Sequence, residues 1–217
     1  MLGLRVLLSS KEMSKSCIMY NSGKRNLKNG DLTSSGVNFY YSLYHACLSV
    51  VSSTSNKIVV ENCIIEQKRR EQLPRYYIPL NHTDARNLIG HLDKDLTNEL
   101  DKLMQIREYL SYGPNILYEP SKLSSISNII VYDCRFPSLR HEIERMRSEL
   151  PKLITRCCGL LEKNLSEGNF YYFMYYFYKM TNIICKGLNL DPIFISECQS
   201  ILDPFDKTGI RDLANKS

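Results

Sequence analysis

Apolar residues recur along this chain at the three-to-four-residue spacing of helices, and the alternation of half-buried strands is nearly absent. The spacing predicts a first helix from about Leu4 to Tyr20, then a polar loop from Asn21 to Asp31. The second helix is the clearest element. Val37, Tyr41, Tyr44, Leu48 and Val51 form one stripe, with Tyr40, Leu43, Cys47 and Val50 beside it. Asp31, Thr33 and Ser34 are each suited to cap it. A helix apolar over so much of its circumference is expected at the centre of a fold.

The pattern continues with an element over Val59 to Leu73, apolar at first and then basic, stopped by Pro74. Arg75 to Pro79 reads as a connection, Thr83 to Leu92 as a short helix. A further helix carries Leu96, Leu100, Leu103, Ile106 and Leu110 and ends at Gly113-Pro114. Ser124 to Asp133 reads as a strand or a buried loop, with a short strand at most over Ile129 to Tyr132. A long amphipathic helix starts at Ser138 and is expected to bend or break at Pro151. The aromatic run Phe170 to Tyr178 lies in a helix reaching about Lys186, and Asp191 to Leu202 gives a last short helix. The fold class this predicts is all-α.

Composition narrows the picture. The chain has 217 residues, 43% hydrophobic and 24% charged, which suits a folded core rather than disorder. Its net charge of +5 tolerates a polyanion without implying one. The positive charge is clustered at Lys24-Arg25-Lys28, at Lys68-Arg69-Arg70 with Arg75, and at Arg140, Arg145 and Arg147. The bland reading of each cluster is a solvated helix face. Eight cysteines are scattered, several in apolar helical runs and none as C-x-x-C, so buried reduced thiols are expected rather than a disulfide framework or a zinc knuckle. No metal and no cofactor is expected. The run Met1 to Leu8 is too short for a signal segment and no apolar run approaches a membrane span, so the expected location is the cytoplasm.

Three segments carry a resemblance. Asn38-Phe39-Tyr40-Tyr41-Ser42-Leu43-Tyr44-His45-Ala46-Cys47 is the most specific, Asn81-His82-Thr83 the weakest, and Arg107-Glu108-Tyr109-Leu110-Ser111-Tyr112-Gly113-Pro114 lies between them. In this order they resemble the HEPN superfamily, in particular its small prokaryotic branch, over roughly residues 1–120. The resemblance implies a HEPN-like helical bundle over 1–120, with a C-terminal helical extension over 121–217 packed on it. It further implies an RNA-directed factor, such as a metal-independent endoribonuclease, in a prokaryotic antiviral defence or toxin–antitoxin-like setting. Tyr40, Tyr41, Tyr44 and His45 also suit a simpler role as core residues with satisfied polar tips. The alternative function is a non-catalytic module that binds a protein or a nucleotide, or a structural subunit of a larger assembly.

RNA-cutting relatives use an Arg followed a few residues later by a His. Imidazole can move protons near neutral pH, and guanidinium can hold a phosphate. Arg75 to His82, Arg86 to His91 and Arg135 to His141 all have that spacing, and only Arg86-Asn87 has a polar residue after the Arg. Arg86, Asn87 and His91 are therefore the expected catalytic residues, with Lys68, Arg69, Arg70, Arg75 and Arg107 expected on RNA. Two features depart from the family pattern. The relatives' motif aligns with Arg107 to Tyr112, where no His follows, and Arg86 and His91 lie about 140° apart around a helix. They would converge at a helix end or across a dimer. The run Phe170 to Tyr178 holds more aromatic surface than one stripe can bury, so a homodimer or protein partner is expected there.

Overall fold

The computed structural model describes residues 2–54, 57–60, 63–66, 77–79, 86–87, 89–91, 93–112 and 136–216. Seven main helices and a small sheet follow in chain order: α1 Leu2–Lys28, α2 Leu32–Thr54, β1 Lys57–Val60, β2 Cys63–Glu66, β3 Tyr77–Pro79, α3 Lys94–Tyr112, α4 Phe136–Asn164, α5 Glu167–Gly187, α6 Pro192–Ser200 and α7 Ile210–Lys216. The described chain is predominantly helical. Among the described residues no helix is long and apolar enough to cross a membrane.

α1 and α2 pack on each other and are joined by a three-residue turn, Asn29 to Asp31, in which Gly30 takes a positive φ of 83°. The cap of α2 is Asp31, whose Oδ1 accepts from the Ser34 amide at 2.9 Å. α1 does not stop at Tyr20 as its polarity suggested. It runs to Lys28 because its polar last turns are bonded to other elements. Asn21 Nδ2 donates to the Cys17 carbonyl at 3.2 Å and to Cys198 Sγ at 3.4 Å, while Leu27 is buried. Gly23 lets the Phe39 ring lie against the helix, since a Cβ there would come within 2.5 Å of Phe39 Cε1.

α2 is the centre, packing on α1, α3 and α4, while α1 also receives α5 and α6. Helices α4, α5 and α6 thus share one core with the first two helices. Serines replace apolar residues along this seam. Ser9 and Ser49 exchange hydroxyl-to-carbonyl hydrogen bonds at 2.6 and 2.7 Å across α1 and α2. Ser10 and Ser14 donate to the Phe173 and Phe177 carbonyls of α5 at 2.9 and 3.0 Å. A hydroxyl takes little room, so the helices approach closely, and every donor is satisfied in the dry interior.

α4 buries Leu139, Ile143, Met146, Leu150, Ile154 and Leu161 along one face. It continues through Pro151 instead of breaking there. Proline removes the amide that would bond the Arg147 carbonyl, and Tyr20 of α1 supplies the missing donor: its hydroxyl reaches that carbonyl at 2.9 Å. The element expected over Val59 to Leu73 begins instead as two paired strands, with Ile58 opposite Ile65 and Val60 opposite Cys63. β3 pairs with β2 through Ile64 opposite Ile78, so Tyr77 to Pro79 is strand rather than connection. The strand expected over Ile129 to Tyr132 lies outside the described residues.

Among the described residues, Cys17, Cys47, Cys157, Cys158, Cys185 and Cys198 are free and buried. Burial pushes the Cys17 thiol well above its ordinary value, in keeping with an inert, space-filling role.

Candidate functional site

Arg86, Asn87, Ile89 and Gly90 are helical and His91 follows in a turn, just ahead of α3. Ile89 is the anchor of this segment, fully buried, while Arg86, Asn87 and His91 face solvent. Asp93 then caps α3, its Oδ1 accepting from the Asp95 and Leu96 amides at 2.9 and 3.1 Å. Arg86 is not idle. Its Nε and Nη2 donate to both carboxylate oxygens of Asp101 at 2.5 and 2.6 Å, a fork that raises the guanidinium's pKa. Among the described residues no hydrogen bond, ion pair or ring contact joins Arg86 to His91. Nor does a hydrogen bond join Asn87 to either.

Arg107, expected on RNA, is almost enclosed, with 11% of its side chain exposed. It lies 5.2 Å from the centre of the Tyr40 ring and donates from Nη1 to the Tyr41 hydroxyl at 3.5 Å. Its Nη2 is 3.8 Å from Glu108. Here it ties α3 to α2. Lys68, Arg69, Arg70 and Arg75 lie outside the described residues, as do His82 and Arg135.

Tyr41 leads from Arg107 to a buried acid–base pair. The Tyr41 and His45 rings stack with centres 6.3 Å apart, and Tyr44 meets His45 edge-on at 5.5 Å. His45 Nδ1 sits 2.6 Å from Glu12 Oε2, and Lys15 donates to Glu12 Oε1 at 2.9 Å. Burial alone would raise the Glu12 carboxyl. The hydrogen bond and charge of His45, and then Lys15, outweigh it, and the net shift is downward. Glu12, Lys15 and Asp101 are the polar residues that the motif search missed. A lone Glu three residues before a Lys, set among serines and apolar residues on α1, was the available signal for the first two.

Among the described residues the candidate site offers one exposed guanidinium, Arg86, and one exposed imidazole, His91, while the Glu12–His45 pair is buried between α1 and α2. Among the described residues no group of three or more His, Cys, Asp or Glu side chains is placed to hold a metal ion. Comparison of the chain with protein-family models, with curated proteins and with solved structures gave no match.

Proposed function

We propose that this chain is an RNA-directed factor built on a HEPN-like bundle, acting in a prokaryotic defence or toxin–antitoxin-like setting. Metal-independent RNA cleavage is the activity this reading puts first. The observation that supports it is the Arg86 fork. Asp101 holds the guanidinium in the planar two-point geometry that a phosphate also offers, at an exposed position. An exposed ion pair is worth about 0–1 kcal/mol, so a phosphodiester can replace the carboxylate at little cost. His91, exposed five residues on, supplies the proton-transfer group, and Asn87 a polar contact. Lys68, Arg69, Arg70 and Arg75 would extend the cationic surface along the strand. Arg107 acts at one remove, by holding α3 on α2.

One observation favours the second reading, a non-catalytic protein- or nucleotide-binding module or structural subunit: Arg86 already has a partner in its own chain and none of its bonds leads to His91. Cleavage of a labelled RNA in the presence of EDTA separates the two. Under the first reading wild type cuts, His91→Ala abolishes cutting and Arg86→Ala removes most of it, with thermal melts unchanged. Asp101→Asn, which frees the Arg86 fork, tightens RNA binding. Arg107→Ala lowers the melting temperature instead. If wild type neither cuts nor binds RNA, the RNA-directed reading is discarded for the module.

A further inference from the structure

The proposed function leaves the buried thiols unused, and two of them face each other across one helix pair. Cys185 lies in the last turn of α5 and Cys198 in α6, both fully buried. Gln199, next to Cys198, fixes the register of the two helices. Its Nε2 donates to the Tyr178 carbonyl at 3.3 Å and to Asn182 Oδ1 at 3.2 Å. On α5, Tyr178, Thr181 and Cys185 are three and four residues apart, one buried row, and Cys198 meets the end of that row. The Cys198 thiol is hydrogen-bonded to the Cys185 sulfur there, and Asn21 Nδ2 of α1 donates to Cys198 Sγ at 3.4 Å.

A second thiol pair, Cys47 with Cys157, joins α2 to α4, and the two pairs differ in their surroundings. The hydrogen bond to Cys157, burial and then the Asp93 carboxylate push Cys47 well above its ordinary value. At the α5–α6 pair the outside groups are an N–H donor and a cation. Arg25 lies 4.5 Å from the centre of the Phe194 ring, one turn before Cys198, close enough for its charge to act on that sulfur. The hydrogen bond from Cys198 lowers the Cys185 thiol below its ordinary value, against burial, and Cys198, as the donor, is pushed up. Cys185 is thus the sulfur that ionises first and Cys198 the one that keeps its proton. The cover over Cys185 is thin. α5 ends in a cap of backbone bonds, with the Leu188 and Leu190 amides on the Cys185 carbonyl at 3.2 and 2.9 Å and Asn189 at a φ of 54°. Gly187, Leu188 and Asn189 are exposed, so opening this one turn admits a small solute without disturbing the core.

We propose that Cys185 and Cys198 form a redox modification site, a dithiol that hydrogen peroxide converts to an intrachain disulfide between α5 and α6. The Cys185 thiolate attacks one peroxide oxygen and the O–O bond breaks. Hydroxide leaves, takes up the proton that Cys185 gave up and becomes water, while Cys185 becomes a sulfenic acid. The Cys198 sulfur then attacks the Cys185 sulfur, the S–O bond breaks, and a second water carries off the Cys198 proton. Two thiols lose two electrons and two protons, and one peroxide becomes two waters. Two equivalents of a small thiol reverse the reaction and leave as their own disulfide. Sulfurs already in hydrogen-bond contact need only a small approach to reach the ~2 Å of the S–S bond. The link closes a ring of about fourteen residues that contains Asp191, so α6 is then held on α5 without the Arg25–Asp191 fork. The site stands apart from the RNA reading and uses none of its residues.

Mass spectrometry of the full chain, reduced and then treated with hydrogen peroxide under native conditions, tests it. Wild type is expected to lose two hydrogens and to regain them with dithiothreitol. Trypsin cuts after Lys186, between the two cysteines, so the link should join peptide 180–186 to peptide 187–207. Cys198→Ser, which lacks the second thiol, should stop at a Cys185 sulfenic acid that dimedone traps. Cys185→Ser should form no link and react with peroxide about tenfold more slowly or less. The wild-type map needs no variant to fold. A chain that keeps all its thiols under peroxide overturns the proposal. So does a disulfide that maps to Cys47 and Cys157 or between two chains, and so does dimedone labelling of Cys198→Ser at a cysteine other than Cys185.

Discussion

Where α1 meets α2 and α5, buried polar side chains such as Ser9, Ser10, Ser14, Ser49 and Thr181 are bonded across helices. Around α3, side chains from partly covered to exposed are paired by charge: Arg86 with Asp101, Arg145 with Glu99 and Glu142, Arg156 with Asp93 and Asp95. The first kind of contact is short, dry and fixed by geometry, as in the reciprocal bonds of Ser9 and Ser49. The second is screened by salt and exchangeable. Rigidity is therefore concentrated in the seam, and the groups free to change partners, Arg86 among them, are concentrated at α3. On the proposed RNA-directed reading that separation is useful, because binding can rearrange Arg86, Arg145 and Arg156 without touching the core.

The sharpest way to break the contrast is to open the seam at the buried Glu12–His45 pair. His45→Ala leaves the Glu12 carboxylate in the interior with Lys15 as its partner, and removing one member of a buried pair costs about 3–5 kcal/mol. Urea unfolding should show that loss. Replacing both, as Glu12→Leu with His45→Leu, should recover most of it, since no buried carboxylate is then stranded and Lys15, 28% exposed, can turn to solvent. A double variant as unstable as the single one would mean that the pair contributes more than charge balance.

A smaller effect is expected at Tyr20. Tyr20→Phe keeps the ring and removes the donor that satisfies the carbonyl orphaned by Pro151, a loss of about 1–3 kcal/mol. Adding Pro151→Ala to Tyr20→Phe should restore stability, because the helix then supplies its own amide. Independent, additive effects of the two substitutions would rule out the link between Tyr20 and Pro151.

These features explain what could and could not be read from the sequence. The stripe from Val37 to Val51 is periodic enough to define α2 unaided, and α2 does run over it. The end of α1 was hidden because Asn21 and Arg25 look like loop residues until Cys198 and Asp191 are beside them. Strands β1 and β2 left a signal, the β-branched Ile58-Val59-Val60 and Ile64-Ile65, which the following basic residues obscured. At the candidate site the residue types of Arg86 and His91 were legible. Asp101 was not, because a separation of fifteen positions gives no local pattern linking it to Arg86. His45 was legible as a core residue, while the carboxylate that holds it comes from another helix.

At α3 itself the expected effect is smaller still. Arg86→Ala and Asp101→Ala should each cost no more than about 1 kcal/mol, and a double-mutant cycle should give a coupling that fades as salt is raised from 50 mM to about 1 M. The Ser9–Ser49 contact, treated the same way, should show no salt dependence. A salt-insensitive Arg86–Asp101 coupling would place that pair with the seam and remove the basis for phosphate exchange.

The least costly contact to lose is also the most specific in pH. Asp191 caps α6 by accepting from the Phe194 amide at 2.8 Å, and its carboxylate receives the Arg25 fork at 2.7 and 3.3 Å. The Arg25 hydrogen bonds, then the Phe194 amide, hold its carboxyl down to about 2, below its ordinary 3.8. A carboxyl depressed on folding binds fewer protons in the native state than in the unfolded chain. Its contribution is therefore complete above pH 4 and is lost as the pH falls through 2. The Glu12 carboxyl, also lowered, acts in the same direction in both proteins. Asp191→Asn keeps the acceptor for the Phe194 amide and removes the titrating charge. Its stability should lie slightly below wild type at pH 5 and fall less steeply between pH 4 and 2. Parallel curves for the two proteins across that window would show that the Arg25 fork is too exposed to couple folding to the protonation of Asp191.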